Sequence, residues 1–336
     1  MPVTIRALAN KCGLSVATVS KALNGYTDIS EATREAVEKA AKEMGYYPNA
    51  HARALKYGKS YNLGVLFADD THSGLTHAFF SEVLESFKKE AESAGFDITF
   101  ISHNLGTGRI TYEEHCHYRQ IDGICIAAVN FADKEIQNLF EGTLPIVSID
   151  NVCGKWPCVF SDNDTGMSLL VRYIAKRGHR KIAYIHGQDG ESTRQRLSAF
   201  KRTMEQLHLQ VPEVYIRPSH YTDPEHLQKV FTELMKMEDR PTCVICSDDF
   251  SAYGAFGAAE TLGLRIPEDV SIAGFDGIAA MKYMHPHLTS VRQDTDKIGR
   301  DAARRLISLV EVPSQPSRGN ILVPCSLVEG ETVRKI

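Results

Sequence analysis

The spacing of apolar side chains divides the chain into two regions. Over the first sixty residues the apolar positions recur at helical intervals. Thr4 is placed to cap a helix running through Ala7, Leu8 and Ala9 to about Cys12, where Gly13 breaks it. Ser15 can cap a second helix from Val16 to Leu23, closed by Asn24-Gly25, and Ser30 a third to about Met44, with Gly45 at its end. Val37, Ala40, Ala41 and Met44 mark the core face of that third helix. Beyond Pro48, Asn49 can cap a fourth helix over 50–57, which at two turns is too short to be stable alone. From about residue 61 the pattern changes. Short apolar runs at 63–68, 97–102, 123–128, 145–149, 181–186, 213–216, 242–246 and 270–275 read as strands. Amphipathic stretches at 78–94, 165–177, 193–207, 224–237, 250–262 and 297–310 read as helices, and the alternation predicts a parallel α/β core. Residues 63–102 and 181–216 repeat the order strand, loop, long helix, strand, which points to two similar lobes.

Two short helices joined by a three-residue turn form a helix-turn-helix. Ala9 lets them approach, Gly13 permits the turn and Val19 packs the second on the first, and this spacing is that of the DNA-binding version. Charge supports the same reading. The first sixty residues hold nine Lys or Arg against five Asp or Glu, so a surplus of four cations heads a chain whose net charge is −4. A basic head on an acidic body suits contact with a polyanion.

Composition narrows the class further. Apolar residues are 43 % and charged residues 24 % of 336, an ordinary globular balance. No run approaches the roughly 18 apolar residues of a membrane span, and the start has no apolar signal region, so a cytoplasmic protein is expected, and a nucleoid-associated one if the helix-turn-helix holds DNA. The eight cysteines do not form a disulfide framework. Cys243 and Cys246 have CxxC spacing but fall on opposite faces of a strand, as buried thiols do. His115-Cys116-His117 has ligand-type residues two apart, which do not share a helix face, and reads as a solvated face; no metal is expected. There is no phosphate-binding GxxxxGK[ST], no GxSxG and no HExxH, and Gly106-Thr107-Gly108 lacks the last glycine of a dinucleotide loop. Enzyme readings therefore lack a catalytic constellation, and no cofactor is expected.

Ligands of parallel sheets bind beyond the carboxyl ends of the strands. Asp69 and Asp70 follow the first strand, Asp150 follows Ile149, Asp248 and Asp249 follow Cys246, and Asp276 follows Phe275. Arg196 opens the helix after the Tyr184 strand, and Phe79, Phe80 and Phe160 lie near the same rim. Carboxylates accept from hydroxyls, a guanidinium donates and rings cover an apolar sugar face, so the set suits a polyhydroxylated ligand.

The segments GLSVATVSKALNG (13–25), ISEATRE (29–35) and GYYPNAHARAL (45–55) resemble the headpiece of the lactose-repressor (LacI/GalR) family of bacterial transcription regulators. The resemblance continues through Asp150, RQRLSAF (194–200), SDDFSAYGA (247–255), VSIAGFDG (270–277) and LTSVRQD (288–294), and so covers nearly the whole chain. It implies an all-α helix-turn-helix headpiece plus an α/β core of two Rossmann-like lobes of the periplasmic-binding-protein type. The implied divisions are a headpiece over 1–48, a hinge over 49–60, a first lobe from 61–161 plus 291–322, and a second from 162–290 plus 323–336. It implies a sequence-specific DNA-binding regulator, by family precedent a repressor, whose operator affinity is set by a small effector between the lobes. The family holds sugar-induced and purine-corepressed members; the rim residues favour a sugar or sugar derivative here. The expected partners are that effector, a palindromic double-stranded operator and a second copy of the chain. The family's tetramers need a leucine heptad tail, which residues 329–336 do not supply.

By the same resemblance Val16, Ala17 and Lys21 touch base edges, with Lys21 able to donate to guanine O6 and N7. Ser15, Thr18, Ser20 and Asn24 suit phosphates, which position without specifying, and Thr4 is a further expected DNA contact. In the hinge, Asn49 caps, Leu55 wedges into a minor-groove base step, and Ala52, Arg53 and Lys56 lie beside it. Asp69, Phe79, Phe80, Asp150, Phe160, Arg196, Asp248 and Asp276 are the implied ligand residues. One departure is the stretch 69–80, longer than the family's usual loop before its paired aromatics. A solute-binding protein and a sugar-modifying enzyme share this core, but neither accounts for residues 1–60.

Overall fold

The computed structural model describes residues 3–47, 58–68, 74–106, 108–312 and 319–336. The hinge residues Asn49, Ala52, Arg53, Leu55 and Lys56, and Asp69 and Asp70, lie outside the described residues.

The chain forms two compact units, residues 1–61 and 62–336. Among the described residues the first has three helices, α1 (Ile5–Cys12), α2 (Val16–Leu23) and α3 (Glu31–Met44). Each is capped where its sequence directs: Thr4, Ser15 and Ser30 accept from the backbone N–H groups of Ala7, Thr18 and Thr33. Gly13 ends α1 in the left-handed region at φ 66°, a conformation without penalty only for a residue lacking Cβ. Leu8, Ala9, Val19, Ala22, Val37 and Ala41 fill the core, so the three small residues are where helices α1, α2 and α3 meet.

Among the described residues the second unit holds two six-stranded sheets. The first contains β1 (Asn62–Phe67), β2 (Asp97–Phe100), β5 (Gly123–Ala127), β6 (Ile146–Ile149), β7 (Cys158–Ser161) and β13 (Ile321–Val323), in the order β13-β7-β6-β5-β1-β2, all parallel. Strands β3 (Asn104–Leu105) and β4 (Gly108–Arg109) form a separate hairpin. The second sheet contains β8 (Ile182–His186), β9 (Ile216–Pro218), β10 (Cys243–Ile245), β11 (Ser271–Asp276), β12 (Thr289–Arg292) and β14 (Ser326–Val328), ordered β14-β12-β11-β10-β8-β9, with only β14 antiparallel. Helices α4 (Ala78–Ser93), α5 (Tyr112–Tyr118), α6 (Lys134–Glu141) and α11 (Thr295–Glu311) accompany the first sheet. Helices α7 (Asn163–Lys176), α8 (Glu191–Gln206), α9 (Pro224–Met235) and α10 (Ala252–Thr261) accompany the second. The chain thus passes from the first sheet to the second after β7, returns after β12 through α11, and crosses again between β13 and β14.

Strands with both faces covered read as continuous apolar runs. Residues 243–246 show it directly: Cys243 and Ile245 enter one core of the second lobe, Val244 and Cys246 the other. Two expectations fail. Residues 213–216 are not a strand; a 3₁₀ turn occupies Glu213–Tyr215 behind Pro212, whose φ of −57° starts the turn, and the strand begins at Ile216. His115-Cys116-His117 is not a solvated face. His115 and Cys116 are buried, with Cys116 in the first-lobe core and the His115 ring against the Ser102 backbone; His117 alone faces solvent.

Candidate functional site

In the headpiece, α2 buries Val19 and Ala22, packs Leu23 partly against the same core and turns its opposite face outward. Val16, Ala17 and Asn24 are exposed, and Thr18, Ser20 and Lys21 half-buried. Several of the expected phosphate contacts already serve the helix. Ser15 Oγ lies 2.8 Å from Thr18 Oγ1 as well as accepting from its amide, and Asn24 Nδ2 donates to the Ser20 carbonyl at 2.6 Å. Thr4 caps α1 and remains exposed. Lys21 is not a free donor: its ammonium donates to Asp28, seven residues on, beyond the turn at Gly25. That hydrogen bond holds the Lys21 pKa above and the Asp28 pKa below their ordinary values. Asp28 went unrecognised because, in sequence, it is only one acid in a loop.

In the second unit a cavity of about 210 Å³ opens at the carboxyl ends of both sheets. From the first lobe it is lined by Phe79, Phe80 and Asp150, and from the second by Arg196, Asp248 and Asp276. Phe79 and Phe80 sit edge to face at 5.0 Å, with Phe80 also 5.5 Å from Phe67, so the paired rings are fixed against β1. Phe160, on β7 in register with Leu322, is not among the lining residues. Asp249 is also elsewhere: fully buried, it accepts from Ser290 and from the Ile278 amide. Burial drives its pKa from 3.8 up to about 7, against the hydrogen bond from Ser290.

Arg196 organises the second-lobe wall. Its side chain is 5 % exposed, its Nε donates to Asn163 Oδ1 at 2.7 Å, and Nη1 reaches the Ser247 carbonyl at 3.4 Å. Its plane lies 3.7 Å from the Phe275 ring centroid, and Nη2 is 3.9 Å from Asp276 Oδ1. Burial works against this charge, but Tyr221, Asp276 and Asp150 around it hold its pKa above the ordinary value. Asp276 and Asp150 show the complementary pattern: burial raises each carboxyl, and Arg196 pulls it down. Asp276 also accepts from Gln293 Nε2 at 2.6 Å. Asp248 is the exception among the acids. It accepts from Ser247, from the Ser251 amide and hydroxyl, and from the Thr222 amide, and so shapes the loop after β10.

Two features set this cavity apart as the candidate binding site. Asp150 and Asp276 stand at the ends of β6 and β11 with φ of 61° and 117°, a backbone region that non-glycine residues rarely occupy and that concentrates at functional sites. Among the described residues, Asp150 Oδ1 and Gln293 Oε1 are buried acceptors without a hydrogen-bond partner. Buried acceptors left unmade are costly, so a donor-rich ligand has a defined place here. Gln293 and Tyr221 were not foreseen as lining residues. Gln293 directly follows the short β12, whose four residues carry little apolar signal, and Tyr221 follows β9.

A helix-turn-helix headpiece joined to a two-lobed parallel α/β core with a polar cavity at its strand ends defines a class: DNA-binding regulators built on a small-molecule-binding core. Residues 4–49 match the bacterial regulatory proteins of the lacI family, and residues 171–333 match a periplasmic binding protein-like domain. The chain is 32 % identical over 337 residues to the HTH-type transcriptional repressor PurR of Proteus mirabilis (strain HI4320), an alignment covering 98 % of this chain and 96 % of that protein. It therefore belongs to the lacI family and is a transcriptional regulator, not an enzyme. Two solved structures share the fold. The lac repressor dimer bound to operator and the anti-inducer ONPF has a TM-score of 0.84 at 24 % identity, covering 99 % of this chain and 100 % of that one. The transcriptional regulator CelR in complex with cellobiose has a TM-score of 0.72 at 24 % identity, covering 98 % and 99 %. Among the described residues no helix is long and apolar enough to cross a membrane.

Proposed function

We propose that this regulator is a repressor, acting on the bacterial nucleoid, that binds a palindromic operator as a homodimer, and that a sugar or sugar derivative in the cavity sets its operator affinity. In this reading residues 1–48 are the headpiece, 49–60 the hinge, and the two sheets the cores of the two lobes. Adjacent hydroxyls of the ligand donate to Asp276 and accept from Arg196, and another donates to Asp150 on the opposite lobe. The observation that carries the reading is the pair of partnerless buried acceptors, Asp150 Oδ1 after β6 of the first sheet and Gln293 Oε1 after β12 of the second, lining the same cavity as Arg196. A ligand bridging them favours one lobe orientation, and can shift operator binding only by its differential affinity for the two. The dimer follows from the small headpiece core, which pairs by a two-fold axis to read two half-sites, and the lac repressor, which shares the fold, was solved as a dimer bound to operator. CelR carries cellobiose in the same fold.

A second reading is favoured by the name of the relatives, PurR, and by Phe79, Phe80 and Tyr221 around the cavity: a planar nucleobase stacked between rings. A thermal-shift screen of pentoses, hexoses, disaccharides, sugar phosphates and purine bases separates the two. A ligand at 100 times its dissociation constant stabilises by about 2.7 kcal/mol. Stabilisation by a sugar and by no base supports the first reading; stabilisation by a base alone replaces it with the second.

A further inference from the structure

Away from the cleft, the loop between β11 and β12 meets the segment that follows β14. His285 and His287 flank Pro286, and their rings lie 4.6 Å apart between centroids. Across from them stands Glu331. One ligand atom from each of the three lies within 4.8 Å of the others. The backbone beneath is fastened in both directions: His287 N–H donates to Glu331 Oε2 at 2.9 Å, and Glu331 N–H donates to the His287 carbonyl at 2.7 Å. The Thr332 amide reaches the same carbonyl, and the Thr332 hydroxyl is tied to Ile272 of β11. Gly330 makes this approach possible, since a Cβ there would sit 2.3 Å from the His287 carbonyl oxygen. The two segments are thus pinned together while the two imidazoles and the carboxylate face one another, His285 and Glu331 exposed and His287 half-buried.

From this geometry we infer that His285, His287 and Glu331 form a site for a first-row divalent transition metal, with zinc the best-matched ion. Two histidines and one glutamate are a three-ligand zinc set that leaves a fourth position for water. Ligand atoms of a tetrahedral zinc site stand about 3.3 Å apart, given metal–ligand bonds of about 2.0 Å. The three side chains therefore need to close by only about 1.5 Å, a rotation that exposed side chains make freely. His287 and Glu331 also line a separate cavity, so the fourth position opens to solvent. The bound ion would tie the β11–β12 loop to the C-terminal segment within the second lobe. This site is independent of the effector cavity, and its failure would leave the effector reading untouched.

The test uses the full-length chain without an affinity tag and zinc alone as the probe, titrated against a chromophoric chelator. Wild type is expected to bind one equivalent, and zinc to raise its melting temperature. His285→Ala and Glu331→Gln should each weaken zinc binding by at least about tenfold and remove the melting shift. His285 and Glu331 are exposed, so metal-free melting of these variants near wild type excludes misfolding as the cause. Cobalt in place of zinc should show visible bands without the near-ultraviolet absorption of a thiolate ligand. No stoichiometric binding, equal binding by both variants, or a thiolate band that assigns the metal to the cysteines would each overturn the site.

Discussion

Replacing Arg196 by alanine removes more than a ligand contact. The guanidinium bonds to Asn163 at the start of α7, reaches the loop after β10 through Ser247, stacks on Phe275 of β11 and faces Asp276. A hydrogen bond to a charged group contributes about 1.5–3 kcal/mol, and a desolvated cation over a ring about 2 kcal/mol. Removing one member of a buried pair costs about 3–5 kcal/mol because the other is left uncompensated. Asp276 limits that last contribution. Burial already raises its pKa well above the ordinary value, so it can take up a proton when Arg196 is gone. Arg196→Ala is therefore expected to lower the unfolding free energy of the core by about 3–4 kcal/mol, read from urea denaturation by far-ultraviolet circular dichroism. Arg196→Lys keeps the charge but not the planar fork, and should fall between the two. The loss in Arg196→Ala should be smaller at pH 5 than at pH 8, because protonating Asp276 removes the uncompensated charge. A loss below about 1 kcal/mol, the range of exposed ion pairs, would refute the reasoning and make the guanidinium a mobile group.

Asp249 gives a pH signature with a definite sign. Its pKa is pushed from 3.8 up to about 7, so the folded state holds the proton more tightly than the unfolded chain. Its contribution must fall as pH rises from about 4 to 7, by about 4 kcal/mol at roughly 1.4 kcal/mol per pH unit. Asp249→Asn should remove that slope, and parallel stability curves for the two proteins between pH 4 and 8 would contradict the burial argument. Lys21→Ala should relax preference at one base pair per half-site by about 1–3 kcal/mol across a panel of operator variants, whereas an equal loss on every sequence would make Lys21 a phosphate contact. Asp28→Asn should tighten operator binding at low salt by removing the carboxylate that competes for Lys21; unchanged affinity in the same assay would show that the pair opens without cost. Leu55→Ala should abolish most operator bending in a gel-phasing assay while sparing ligand binding, and unchanged bending would refute the wedge.

The headpiece was legible almost residue by residue because its signals are local: a hydroxyl cap three residues before its partner amide, glycine at a left-handed end, alanine where helices cross. The core strands 63–68, 123–128 and 242–246 were legible because burial on both faces demands an unbroken apolar run. Strands β7, β12, β13 and β14 and helices α5 and α6 were not seen. They are three to eight residues long, and their place is set by neighbours distant in sequence, as Ile321 is by Val159. The cleft shows the same division. Asp150, Arg196, Asp248 and Asp276 sit at the ends of strong strands or in a recognisable helix start, and all line the cavity. Phe160 follows the same logic, but on β7, in register with Leu322, it is not among the residues that line the cavity. Sequence also could not show that Asp248 accepts from its own loop and from the loop after β9, or that Asp28 occupies Lys21, since both depend on how turns fold back.

The central claim is that a ligand in the cavity controls DNA binding, and operator titration by fluorescence anisotropy with and without the ligand found in the thermal-shift screen tests it most directly. For wild type, saturating ligand should change operator affinity by about 5–150-fold, the range of a coupling free energy of 1–3 kcal/mol. For Asp276→Asn the two titrations should coincide at the same ligand concentration. A ligand that binds in the cavity and leaves wild-type operator affinity unchanged, or an Asp276→Asn protein that switches as wild type does, would contradict it.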